Sequence, residues 1–419
     1  MLRVLTLGPG TTAVAVALLL FLSAGCDDSP AVSNEGICCS PGAGPAFLAS
    51  KVDDDDGDGN PRDENHPIID DEDDDIADHA WFRDDRGTFH LFFQNEGFDG
   101  GSDIEHYVTT DLRNLQYVGL ALRKNPGGWD ADGVWAPHVI QLGNTYFMFY
   151  TGVAGTGPGA KQRTGVATST DLTTWKRFPA NNCPGTSGDG CIYECDESWT
   201  TWGDSPGSHN QQCRDPFVVR DRANHRWVLF ATAKSVSGSG VVTVAYSTDL
   251  TNWTGAGYIN ATRRLAGGTG AQATGGQAEN PHVTTHDGTN YLLFTDWQDP
   301  EDSFTVQDPR TITQYVTSPT LVADTLGSSN WTYRGSTPDP GVNAIEVQLI
   351  GGDTWVMSQS ISNVNSGDHP EHRRELRLKC VLWGPNFEFE TSNLTTPIGT
   401  TPHAKSPLAP QHRGPLDGD

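Results

Sequence analysis

From residue 76 onward the chain consists of short apolar runs set between turn formers. Five runs are dense in aromatic and branched side chains: Thr88-Phe89-His90-Leu91-Phe92-Phe93, Thr145-Tyr146-Phe147-Met148-Phe149-Tyr150, Arg226-Trp227-Val228-Leu229-Phe230, Asn290-Tyr291-Leu292-Leu293-Phe294 and Thr354-Trp355-Val356-Met357. Runs this short, bounded by turn residues and lacking a helical period, predict strands. An opening segment precedes each run: Asp78-His79-Ala80-Trp81-Phe82, Trp135-Ala136-Pro137-His138-Val139, Arg214-Asp215-Pro216-Phe217-Val218, Glu279-Asn280-Pro281-His282-Val283 and Glu346-Val347-Gln348-Leu349-Ile350. A second series recurs as Thr109-Thr110-Asp111-Leu112, Ser169-Thr170-Asp171-Leu172 and Ser247-Thr248-Asp249-Leu250. Each follows an alternating run, and Leu115, Trp175 or Trp253 comes at or near the fourth residue after the aspartate.

The openings lie 57 to 79 residues apart and the repeated aspartates 60 and 78 apart, so the two series share one period. A period this long, with three or four strands per unit, predicts an all-β fold: a five-bladed β-propeller of four-stranded antiparallel blades. Ring closure would bury the faces of each sheet against its neighbours and protect the edges. The propeller is expected over residues 76–395, with a tail at 396–419. The 47 glycines and 26 prolines supply turns, and the 12 tryptophans suit packing between blades.

Residues 1–26 read as a targeting segment. Arg3 precedes an apolar stretch, Ala13 to Leu22, that is short for a membrane span. Leu22-Ser23-Ala24-Gly25-Cys26 resembles a bacterial lipobox, which makes Cys26 the expected lipidation site and anchors an exported protein to the cell envelope; an ordinary cleaved signal peptide is the alternative. Residues 27–75 form a linker, flexible at first and then rich in aspartate. Cys183, Cys191, Cys195 and Cys213 are expected to form two local disulfides, their spacing being unlike that of paired zinc ligands, while Cys38, Cys39 and Cys380 leave an odd thiol.

Charge sharpens the picture of the linker. The net charge is −26, and residues 53–75 hold thirteen Asp and Glu against one Arg. Nucleic acid is excluded as an expected partner by this balance. Within the run, Asp54, Asp56, Asp58 and Gly59 fit the opening of a calcium loop, in which alternate carboxylates converge on a hard cation. Asn65 stands where an EF-hand closes with Glu, so the segment more nearly resembles thrombospondin type 3 repeats. A solvated acidic spacer is the equal alternative.

Propeller openings converge on a central tunnel, and three carry acids: Asp78, Asp215 and Glu279. Glycoside hydrolysis needs one carboxyl group to protonate the leaving oxygen and another, ionised, to attack or to activate water. A third acid can bind sugar hydroxyls and tune the proton donor. Here the sequence resembles the five-bladed furanosidase group, glycoside hydrolase families 32, 43 and 68. Trp135-Ala136-Pro137-His138-Val139 is similar to the W-A-P-D-V opening of family 43, and Glu279-Asn280-Pro281-His282 to its E-G-P-H acid motif. Arg214-Asp215-Pro216 resembles the R-D-P motif of family 32, as His90-Leu91-Phe92-Phe93-Gln94 resembles its first blade.

The resemblance implies that Asp78 is nucleophile or general base, Asp215 a sugar-binding and tuning acid, and Glu279 the general acid. It implies substrate contacts from Trp135, Arg214, His138, His282 and Glu346, with the two histidines alternatively helping to hold a central ion. The first acid of family 32 is followed by proline, whereas His79 follows Asp78, so Asp75, Asp84 and Asp85 remain alternatives for that place. The expectation is a monomeric, envelope-anchored glycosidase acting on furanose- or pentose-containing glycans, with no cofactor required for catalysis and calcium at most structural. A non-catalytic propeller that binds glycan or a partner is the alternative from another class, and glycoside cleavage by phosphate attack is a third.

Overall fold

In a computed structural model, the described residues are 46–47, 76–95, 103–112, 115–155, 160–179, 181–202, 212–260, 277–297, 311–324, 329–340, 342–351, 354–362, 374–383, 389–393 and 413–414. The expectations for Cys26 and for Asp54, Asp56 and Asp58 lie outside the described residues. Every regular element among those described is a β-strand.

Blade 1 consists of Ile76–Arg83, Phe89–Asn95, Ile104–Thr109 and Gln116–Leu122. Blade 2 has Gly133–Leu142, Thr145–Ala154 and Lys161–Ser169, its fourth position shared by Lys176–Arg177 and Cys191–Tyr193. Blade 3 is Cys213–Asp221, Arg226–Lys234, Gly240–Ser247 and Thr254–Ile259. Blade 4 is Gln277–His286, Thr289–Trp297, Thr311–Ser318 and Thr332–Pro340. Blade 5 is Val342–Gly351, Thr354–Ser362, Arg374–Trp383 and Phe389–Asn393. Consecutive strands pair antiparallel within every blade, forming a five-bladed β-propeller. Ala46–Phe47 adds to the third strand of blade 5, and Arg413–Gly414 runs parallel to Gln141–Leu142.

Successive side chains on a strand point to opposite faces, and here both faces meet a neighbouring blade. Phe92 packs in the seam with blade 2, while Leu91 and Phe93 pack in the seam with blade 5. Val228 and Phe230 likewise face blade 4, and Trp227 and Leu229 face blade 2. Each seam holds one apolar cluster, five in all. That is why the second strand of each unit reads as a nearly unbroken apolar run. Burying each large apolar side chain contributes roughly 1.5–3 kcal/mol.

The first strands touch one another in cyclic order, blade 5 returning to blade 1. Polar bonds fasten that closure. Trp81 N donates to Glu346 Oε2 at 2.7 Å, Gln348 Nε2 to Trp81 O at 2.6 Å and Ser360 Oγ to Ile76 O at 2.8 Å. Arg83 donates to Ile350 O.

The repeated Ser/Thr-x-Asp-Leu segments are turns. In blade 2 the Asp171 carboxylate accepts the N–H groups of Thr173 and Thr174 at 2.8 and 2.7 Å, and Ser169 Oγ accepts that of Leu172. The leucine adopts a left-handed conformation in all three copies, with φ of 57° at Leu112, 64° at Leu172 and 69° at Leu250. Trp175 and Trp253 each donate an indole N–H to the leucine carbonyl at 3.0 Å, which gives the bulky residue of the repeat its place. A fourth copy, Ser318-Pro319-Thr320-Leu321, has threonine where the others have aspartate.

The N–H groups of Thr174 and Thr173 hold the Asp171 carboxyl well below the usual carboxylate range. A depressed acid stabilises the fold above its unfolded pKa, and that contribution is lost as pH falls through the folded one. Asp171→Ala should therefore lower the thermal midpoint at neutral pH, with the gap from wild type closing below about pH 4. A gap independent of pH would show that the turn does not depend on the ionised carboxylate.

Candidate active site

Every first strand contains a β-bulge at its tunnel end. The register slips between Ile76 and His79, Trp135 and His138, Arg214 and Phe217, Glu279 and His282, and Asn343 and Ile345. In four blades the extra residue is left-handed, with φ of 44° at Ala136, 56° at Asp215, 51° at Asn280 and 40° at Ala344. Asp and Asn tolerate this region better than most residues. A proline follows in blades 2, 3 and 4 and fixes the exit direction of the chain.

This register revises the alignment of two openings. The residue matching Trp135, Arg214 and Glu279 is Ile76 in blade 1 and Asn343 in blade 5, so Asp78 and Glu346 stand two and three positions later. The three candidate acids therefore occupy three successive positions of the bulge, Glu279 first, Asp215 second and Asp78 third. Proline holds the third position in blades 2 to 4, and Asp78 takes it in blade 1.

Asp78, Asp215, His138, His282 and Glu346 all line one cavity at the axis, together with His79. Beside it, Arg214 and Glu279 form a close ion pair, and Arg214 Nε stands 3.4 Å from Asp215 Oδ2. Arg214 also donates to Gln162 Oε1 of blade 2 at 3.3 Å. Burial works against the guanidinium charge, but Glu279, Asp215 and Asp78 outweigh it and raise the Arg214 pKa. Trp135, at the same register as Arg214 and Glu279, is partly exposed. Asp84 lies in the turn after the first strand, its carboxylate accepting the N–H groups of Arg86 and Thr88 at 2.9 and 2.8 Å, and does not line this cavity.

Burial pushes the Asp215 carboxyl up to about 6; Arg214 works against this, Glu279 adds to it, and bonds from Thr232 and Asn280 N–H oppose it. Glu346 is pushed up to about 8 by burial, partly offset by the Trp81 N–H and the Gln348 amide. His138 Nε2 lies 3.0 Å from Val218 O, and its Nδ1 faces Glu346 Oε1 at 4.0 Å. His282 Nε2 accepts the Val347 N–H at 3.0 Å, so both histidines tie their blade to the next as well as lining the cavity. His79 Nε2 meets Ser358 Oγ at 2.7 Å, and burial lowers that imidazole to about 3. Among the described residues no three His, Cys, Asp or Glu side chains are grouped so as to hold a metal ion.

Residues 67–386 match the family described as Glycosyl hydrolases family 43. The chain belongs to that family. Its blades thus carry the scaffold of a family of glycosidases. Among curated proteins it is similar to a levanase of Bacillus sp. (strain L7), 30% identical over 185 residues, or 40% of this chain and 17% of that protein. A sucrose-6-phosphate hydrolase of Pediococcus pentosaceus is 24% identical over 211 residues, covering 50% of this chain and 36% of that one. The chain thus covers well under half the length of either relative. In fold it is similar to an endo-1,4-beta-xylanase from Bacteroides thetaiotaomicron, with a TM-score of 0.53 at 16% identity over 78% of this chain and 97% of that one.

Two disulfides lie on the path from blade 2 to blade 3. Cys183 pairs with Cys191, and Cys195 with Cys213, the residue before Arg214. Trp202, within the second loop, donates to Gln162 O at 2.7 Å, and Lys161 and Arg163 lie against its ring. Sequence reasoning missed Gln162, Thr151 and Thr232, whose roles depend on contacts between strands and between blades.

The raised Glu346 pKa has a defined effect on stability. The group is protonated when folded and ionised when unfolded between about 4.5 and 8, so stability is full below that window and declines through it as pH rises. Glu346→Gln should make the fall in denaturant-measured stability between about pH 5 and pH 8 shallower than in wild type. Equal slopes would mean that Glu346 is ionised in the folded protein.

Proposed function

We propose that this family 43 member hydrolyses furanose- or pentose-containing glycans, such as fructans, arabinans or xylan side chains. The observation that carries the reading is Arg214, a partly buried cation facing carboxylates from three blades, Glu279, Asp215 and Asp78. In this reading Glu279 delivers a proton to the leaving glycosidic oxygen. Asp78, reaching the cavity from the first blade, attacks the anomeric carbon or activates water. Asp215 binds sugar hydroxyls, Trp135 stacks on a ring, and Arg214, His138, His282 and Glu346 complete the subsite. Membership of the family and the similarity to a levanase support this substrate range.

The same reading places the protein outside the cytoplasm, attached to the envelope by lipid on Cys26, with the acidic linker between anchor and propeller. Calcium bound by Asp54, Asp56 and Asp58 would stiffen that linker, and the propeller would act as a monomer. The polysaccharide would then be the main partner.

A panel of levan, arabinan, xylan and aryl furanosides, assayed with wild type and Glu279→Gln, tests the activity. Turnover of at least one substrate is expected, with a loss of about 10²–10⁴-fold in Glu279→Gln. NMR of the first-formed anomer distinguishes retention, for which the carboxyl groups stand roughly 5–5.5 Å apart, from inversion at roughly 6.5–9.5 Å. Glycan binding without turnover would favour a purely binding propeller. Activity insensitive to Glu279→Gln would overturn the assignment of the acid.

A further inference from the structure

We propose that Thr232 is a positioning residue, its hydroxyl pinning one oxygen of Asp215 so that the other faces the sugar. The inference rests on the proposed function and concerns a residue of the second strand of blade 3, opposite Arg214 in register. Thr232 is fully buried. Its Oγ–H donates to Asp215 Oδ2 at 2.7 Å, and the same oxygen accepts the Asn280 N–H at 3.2 Å. A hydroxyl has a single proton, and with Asn280 supplying the hydrogen to its lone pair, that proton is directed at the carboxylate.

Asp215 Oδ2 is consequently surrounded by donors. Thr232 Oγ and Asn280 N, the latter at 3.2 Å, donate to it, and Arg214 Nε stands 3.4 Å away as an ion-pair partner, so this oxygen is held as an acceptor. Asp215 Oδ1 has no hydrogen-bond partner among the described residues, and Asp215 lines the cavity. The arrangement leaves an ionised carboxylate with one oxygen fixed and one available to a substrate hydroxyl. The neighbouring charges that act on it are Arg214 and Glu279, and the cavity also contains Asp78, His79, His138, His282 and Glu346.

A purely structural role has a comparison within the fold. Equivalent second-strand positions in other blades also carry hydroxyls, but Thr151 Oγ1 accepts the backbone N–H of Asp215 at 2.8 Å and Ser360 Oγ donates to the Ile76 carbonyl at 2.8 Å. Those two tie blade to blade through the main chain. Thr232 reaches a side-chain carboxylate as well.

The test compares wild type, Thr232→Val, which swaps the hydroxyl for a methyl group, and Thr232→Ser, which keeps it. Two readouts are taken: the pH profile of kcat/KM, and a ¹³C carboxyl titration of Asp215 identified by its loss in Asp215→Asn. Removing a donor to the carboxylate disfavours its ionised form, so Thr232→Val should move the acid limb and the Asp215 titration upward by about one pH unit. Thr232→Ser should overlay wild type. Thr232→Ala gives the same comparison if valine disturbs packing. An unchanged Asp215 titration in Thr232→Val, or an equal shift in Thr232→Ser, would overturn the proposal, as would a shifted titration with an unmoved rate profile. Absence of turnover in wild type would count against the proposed function instead, and the titration alone would then decide whether Thr232 controls Asp215.

Discussion

Five strands meeting around one axis impose the constraint on which this molecule depends. Each first strand answers it with a bulge at the same level, and the extra residue turns the chain where it enters the tunnel. Bulges of this kind re-aim side chains and recur beside active sites. Because five of them lie at one height, a residue's position within the bulge decides whether it faces its neighbours or the cavity. Glu279, Asp215 and Asp78 occupy consecutive positions on different blades and so approach one region from three directions.

Bringing carboxylates together in a buried place is costly unless a cation joins them. Arg214 fills that role, paired with Glu279 and near Asp215, with Asp78 adding to the field. Its own position is fixed by Gln162 from blade 2 and by the disulfide at Cys213. The site is therefore assembled from blades 1 to 4, and blade 5 contributes Glu346, which also closes the ring through Trp81 N. One set of bonds thus links the integrity of the ring to the geometry of the cavity.

Much of the architecture was legible in the residue order. The aromatic runs named the second strands because those strands are buried on both faces, and burial on both faces leaves a dense apolar run. The Ser/Thr-x-Asp-Leu segments marked the period by their repetition, and the structure makes them turns in which side chains satisfy backbone N–H groups only a few residues away. Arg214-Asp215-Pro216 and Glu279-Asn280-Pro281 aligned correctly with Trp135-Ala136-Pro137, since all three share the proline of the bulge. The first and fifth openings lack that proline, and there the reading slipped by two and three residues.

The sequence by itself determined the strands, the period, the number of blades and the short list of acids, because each of these depends on contacts local in the chain or on repetition. Only the tertiary structure decided which nitrogen of His282 faces the backbone, that Cys195 pairs with Cys213, and that Thr232 reaches Asp215 and Asn280. Those relations join residues on different strands, loops or blades. No periodicity encodes them, since they arise from how strands pair within a blade and from how one blade packs on the next.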